Sequence, residues 1–150
     1  MRMAVAMAAL GLAVSACGAQ DQKPAENTPD AAAPQIANVK LDDNIRVVGN
    51  EPFWSVDLAP AGITYSRIEE APLTGVAVKP AVTGNMAVWE TTLADKRALT
   101  VTLTGTDCSD GMSDRVYPLA AMVKVGEETL QGCAASLEAL ERASESGRVE

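Results

Sequence analysis

The sequence predicts an all-β fold: a small antiparallel meander of about eight strands closing into a barrel or sandwich, followed by a short C-terminal helix. Three observations carry this. Residues 98–104 alternate without a break, Leu99, Val101 and Leu103 against Thr100, Thr102 and Thr104, which gives a strand one buried and one wet face. Similar short runs recur behind turn residues from Asn44 onward. The length, 150 residues, allows one folded domain.

The chain opens with a basic head, Met1-Arg2, and an apolar run from Met3 to Val14. That run is too short to span a bilayer, which takes about 20 apolar residues, but it has the length of a signal-peptide core. It ends Val14-Ser15-Ala16-Cys17-Gly18. This pattern resembles the bacterial lipobox. The resemblance implies removal of residues 1–16, a diacylglycerol on the Cys17 thiol and acylation of the new amino group. Two or more acyl chains anchor firmly. Gly18 stands where an Asp would resemble an inner-membrane retention signal. The resemblance therefore points to the outer membrane, facing the periplasm, if the source is a diderm. The alternative is an ordinary signal peptide in which Cys17 is incidental.

Residues 17–40 are expected to be the lipidated Cys and a disordered tether. Gln20 to Pro24 and Asp30 to Pro34 are polar, Ala- and Pro-rich and aperiodic. Such a tether of about 21 residues would span ~25 Å.

The single β domain is placed at 41–150. In order, the runs are Ile45–Val48, Trp54–Leu58, Ile63–Tyr65, Leu73–Lys79, Met86–Leu93, Ala98–Thr104, Leu119–Val125 and Glu128–Gly132. Pro60-Ala61-Gly62, Thr83-Gly84-Asn85, Ala94-Asp95-Lys96 and Gly126-Glu127 separate them with turn chemistry. Closure is the expected way to bury the edges. From Ala135 to Ser144, Leu137, Leu140 and Ser144 share one helical face, and the last residues are expected to fray.

With Cys17 lipidated, Cys108 and Cys133 form an even pair in an oxidising compartment. A disulfide between them is expected. The alternative, free thiols for metal or redox work, lacks both a CxxC spacing and a His.

Two stretches stand out as candidate ligand or partner sites. One is Gly49-Asn50-Glu51-Pro52-Phe53-Trp54. The other runs Cys108-Ser109-Asp110-Gly111-Met112-Ser113-Asp114-Arg115-Val116-Tyr117-Pro118, with Gly132-Cys133-Ala134 after it. Together they resemble a group of poorly characterised bacterial envelope lipoproteins with an NEPFW-type motif and a CxDGMSDxxYP…GC motif. That group is similar in architecture to META-type and C-type lysozyme-inhibitor domains. The resemblance covers about residues 45–134. It implies an envelope location, a small β domain, a paired Cys108 and Cys133, and no established enzyme activity.

Read from chemistry alone, Pro52 suits the beginning of a strand. Phe53 and Trp54 then point to opposite faces, one into the core and one outward. Asn50, Glu51, Trp54, Asp110, Asp114, Arg115 and Tyr117 are the candidate contact residues. Several also admit structural roles: Asn50 and Glu51 as turn-backbone partners, Asp110-Gly111 as a tight turn, and Asp114 with Arg115 as an ion pair ordering the loop. Asp107, Asp110 and Asp114 lack the spacing of an EF-hand, so no metal and no cofactor are expected.

The sequence contains no His, which removes the commonest general base and metal ligand. Ser-His-Asp triads, Cys-His pairs and HExxH sites are excluded. Acidic residues number 20 against 12 basic, a net charge of −8. No basic stripe is present to displace phosphate counterions, so nucleic acid is not an expected partner. Three functions are weighed: a non-enzymatic binding or structural module, an acidic inhibitor of a basic cell-wall enzyme such as lysozyme, and a His-independent envelope hydrolase. Loss of Arg2 with the signal peptide leaves 11 basic and 20 acidic residues, a net −9, which suits a basic protein partner. A small ligand is the other expected occupant, and the domain is expected to be a monomer.

Overall fold

A computed structural model describes residues 33–150. The expected signal peptide, Cys17 and most of the expected tether lie outside the described residues. In chain order the elements are β1 (Gln35–Ile36), β2 (Val39–Lys40), β3 (Ile45–Asn50), β4 (Phe53–Ala59), β5 (Gly62–Arg67), β6 (Leu73–Gly75), β7 (Ala81–Thr83), β8 (Met86–Thr92), β9 (Ala98–Thr104), β10 (Asp114–Val116), β11 (Leu119–Val125), β12 (Glu128–Ser136), α1 (Leu137–Arg142) and β13 (Ser146–Arg148).

Nine strands form one curled antiparallel sheet in the order β6-β5-β4-β3-β12-β11-β9-β8-β7. It consists of two meanders joined where β12 pairs with β3, from Cys133↔Val48 to Ser136↔Ile45. Its two ends meet in a single stretch of chain. Residues 73–75 pair with β5, and residues 81–83 pair with β8. Between them Gly75 bridges Leu93, and the Ala94 N–H donates to the Thr74 carbonyl at 2.8 Å. Nine strands, with that shared stretch counted once, leave eight positions around the curl. The expected run Leu73–Lys79 is a strand only over Leu73–Gly75, and pairing resumes after Pro80 in β7, which lies beyond the expected run.

The alternation read from sequence sets the inner face. Val47, Val56, Leu58, Ile63, Tyr65, Trp89, Leu99, Val101, Leu103, Val123 and Leu130 pack into one core. Two glycines shape one end of it. Gly49 and Gly132 occupy inward positions of β3 and β12, and the Trp54 ring lies against both. A Cβ on Gly49 would stand 2.3 Å from the indole, and one on Gly132 would stand 2.1 Å from the Val48 carbonyl oxygen. Only a missing side chain lets the ring and the backbone approach so closely.

Three expectations need correction. First, the tether ends sooner than 40. β1 and β2 pair across a two-residue turn in which Ala37 and Asn38 both take positive φ, as type I′ geometry requires. Ile36, Val39 and Leu41 are buried in the main core, and that apolar burial holds the hairpin down. Second, the helix is shorter than 135–144. β12 continues through Ser136, whose hydroxyl accepts from the Ala139 N–H at 3.2 Å and caps α1. Third, the last residues do not fray. β13 pairs in parallel with β10, and Val149 is 1% exposed in a second small core with Tyr117, Cys133, Ala135 and Ala139. Neither β10 nor β13 shows the alternation by which the longer strands are recognised, since each has only three residues.

Candidate functional site

The loop from Asp107 to Pro118 lies beside the outer faces of β3 and β12. The Cys108–Cys133 disulfide ties it down, with Cα atoms 5.6 Å apart. Its base is closed by Cys108 and Tyr117, which exchange backbone hydrogen bonds of 3.0 and 2.8 Å. Inside, Asp110 organises the turn. Its Oδ1 accepts from the N–H groups of Met112 (2.9 Å) and Ser113 (2.8 Å). Its Oδ2 accepts from the Ser113 hydroxyl (2.9 Å) and the Tyr117 hydroxyl (3.0 Å). This is the turn chemistry expected of Asp110-Gly111, with Gly111 at φ +71°. Partial burial opposes the charge on Asp110, but the four donors outweigh it and hold the carboxyl below its ordinary pKa. Tyr117 moves the other way. Burial first, then its bond to Asp110, push the phenol up.

The two sequence motifs meet. The Asn50 side-chain amide donates to the Asp110 backbone carbonyl. Around this contact Val48, Gly49, Asn50, Cys108, Ser109, Asp110, Gln131 and Gly132 line a shallow pocket of about 190 Å³. Asn50 therefore satisfies a loop backbone distant in sequence, not only its own turn. Glu51 stands exposed at the tip of the β3–β4 turn.

Other candidates sit differently. Trp54 belongs to the core at 4% exposure, so it is not the surface aromatic. Phe53 is, at 49%, and the reason is the pleat: Trp54 shares its inward face with Val56 and Leu58. Sequence reasoning left the choice between the two rings open, since strand alternation shows that they diverge but not which way. Asp114 is exposed on β10. Arg115 does not pair with it. It reaches the tail instead, donating to the Ser144 carbonyl (2.7 Å) and to Glu145 (3.1 Å). Neighbours along a strand point to opposite faces, which separates the two side chains. Asp107 is held by Arg148 in a two-pronged pair at 2.7 and 2.9 Å. No three potential metal ligands converge among the described residues.

The rim around the β3–β4 turn carries apolar residues that the motif reading missed. The Ile68 N–H donates to the Phe53 carbonyl at 3.3 Å, which sets Ile68, 62% exposed, beside Phe53. Met112, 67% exposed, projects from the Asp110 turn that Asn50 holds. Glu51, Glu69 and Glu70 are exposed on the same segments, and among the described residues none of them forms an ion pair.

No protein-family model, curated protein or solved structure matches the chain.

Proposed function

We propose that this chain is a membrane-anchored envelope lipoprotein whose β domain is a non-enzymatic binding module. Its binding face is the rim formed by the Asn50–Phe53 turn and the Cys108–Tyr117 loop. The bond from Asn50 to Asp110 carries this reading, because it joins two distant motifs into one face. Large apolar residues standing exposed together favour a contact surface over a solvated one. An enzymatic role finds little support in the same residues. The sequence offers no His, and the Asp110 carboxylate is already committed to four donors. The lipobox pattern supports the anchor at Cys17.

The test is a photo-crosslinking residue in place of Phe53, in the envelope of cells expressing the full chain. One predominant adduct, lost with Glu51→Ala, is expected. Cys17→Ser should release the protein from the membrane fraction. A variant that stays in the membrane at mature size would overturn the anchor, and an absence of any adduct would overturn the face.

One observation favours a narrower reading. The unpaired Glu51, Glu69 and Glu70 border the apolar pair Phe53 and Ile68. An apolar centre with an acidic border suits a basic protein partner, and an inhibitor of a basic cell-wall enzyme such as lysozyme is one such module. Inhibition of lysozyme at micromolar domain, weakened by salt, is expected on this reading. Undiminished lysis would remove it.

A further inference from the structure

The mouth of the barrel nearest Phe53 is crossed by one ion pair. Arg67 closes β5 and Glu128 opens β12, strands separated in the sheet by β4 and β3. Arg67 follows Ile63 and Tyr65 on the inward face of β5, and Glu128 precedes Leu130 on the inward face of β12. The guanidinium meets the carboxylate through two bonds, 2.9 and 3.0 Å. Arg67 is mostly covered and Glu128 is more open to solvent.

Two donors lie beneath this bar without partners. The Trp54 indole N–H and the Tyr65 hydroxyl are both buried, at 4% and 1% exposure, and neither makes a hydrogen bond. They are close neighbours in register. Trp54 pairs with Arg67, and Val56 pairs with Tyr65, so both side chains share the inner face with Arg67. An unmet buried donor is rare and destabilising, so two together call for an explanation.

We infer that this mouth receives a small organic carboxylate, which displaces Glu128 from Arg67. The ligand's carboxylate takes the two guanidinium bonds that Glu128 now holds. Its remaining lone pairs accept from the Tyr65 hydroxyl and the Trp54 N–H. Arg67 suits this because its planar fork matches a carboxylate. Glu128 is then an internal stand-in that keeps the guanidinium paired while the site is empty of ligand. The inference goes beyond the reading of the outer rim as a binding face and concerns a separate, inward-facing site.

The probe is hexanoate, with 1-hexanol as the uncharged control, added to the purified full chain labelled with ¹⁵N at tryptophan. A saturable downfield shift of the Trp54 indole N–H is expected with hexanoate and not with hexanol. Glu128→Gln removes the competing charge and should tighten hexanoate binding about tenfold. Tyr65→Phe should weaken it about tenfold, the worth of one bond to a charged acceptor. That variant should also melt no lower than the parent, since the lost hydroxyl had no partner. No saturable shift in either the parent or Glu128→Gln overturns the site, as does a Tyr65→Phe protein that melts several degrees lower. A crosslinked protein partner at Phe53 alongside silent hexanoate titrations would leave the rim standing and remove this site alone.

Discussion

The inside of the barrel and the layer on its outside are held by different forces. The inner core is aliphatic and aromatic, contributed by the curled sheet and plugged by the 35–41 hairpin. Apart from Trp54, Tyr65 and Trp89, its side chains carry no hydrogen-bonding groups. The outer layer consists of the 107–118 loop, α1 and the tail. Its apolar content is small, five buried residues, and the rest is one disulfide, the Asp110 turn and arginine–carboxylate pairs. Apolar burial is indifferent to pH and redox state, whereas each outer bond depends on one or both. The barrel is therefore the permanent part, and the face built on it is conditional.

The largest effect should come from the inside. Leu103→Ala removes a side chain with no exposure. It should cost about 4 kcal/mol, read by denaturant unfolding, and slow exchange in both regions should be lost together. Next is Cys108→Ser with Cys133→Ser. The bridge spans 25 residues in sequence, so its loss should cost about 3 kcal/mol on loop-closure entropy. Amides of residues 108–117 should lose exchange protection well before those of β9 and β11. If all amides loosen equally, the two regions are one cooperative unit and the contrast fails.

Acid should act more locally still. The folded Asp110 carboxyl titrates below its unfolded value. Its bonds therefore stabilise the loop fully above the ordinary carboxylate range, and that contribution is lost as pH falls from about 4 through the lower folded pKa. Exchange in the loop should rise over that window while β9 stays protected. Smallest is Arg148→Ala. Its pairs with Asp107 and Glu150 are exposed, so exchange at Val149 should quicken and the melting temperature should barely move. A marked drop in melting temperature would show that the tail supports the barrel itself.

Legibility in the sequence follows the same division. Strands such as Ala98–Thr104 announce themselves, because burial on one face leaves a period of two over seven residues. The short pieces β7, β10 and β13 leave too few residues for a period, and the 35–40 hairpin hides in a Pro- and Ala-rich stretch. The Asp110 turn was legible from Asp-Gly chemistry. The partners of Asn50 and Arg115 were not, since each is set by a residue about 60 or 30 positions away.

The sequence by itself determined the all-β class, the strand cores and the pairing of Cys108 with Cys133, because alternation, turn residues and the two cysteines within the β domain are local or countable signals. Only the tertiary structure decided that Trp54 turns inward and Phe53 outward, that residues 73–83 join both ends of the sheet, and that Arg67 and Glu128 meet across a mouth. Those outcomes depend on which strands become neighbours when the sheet curls, and no single segment carries that information.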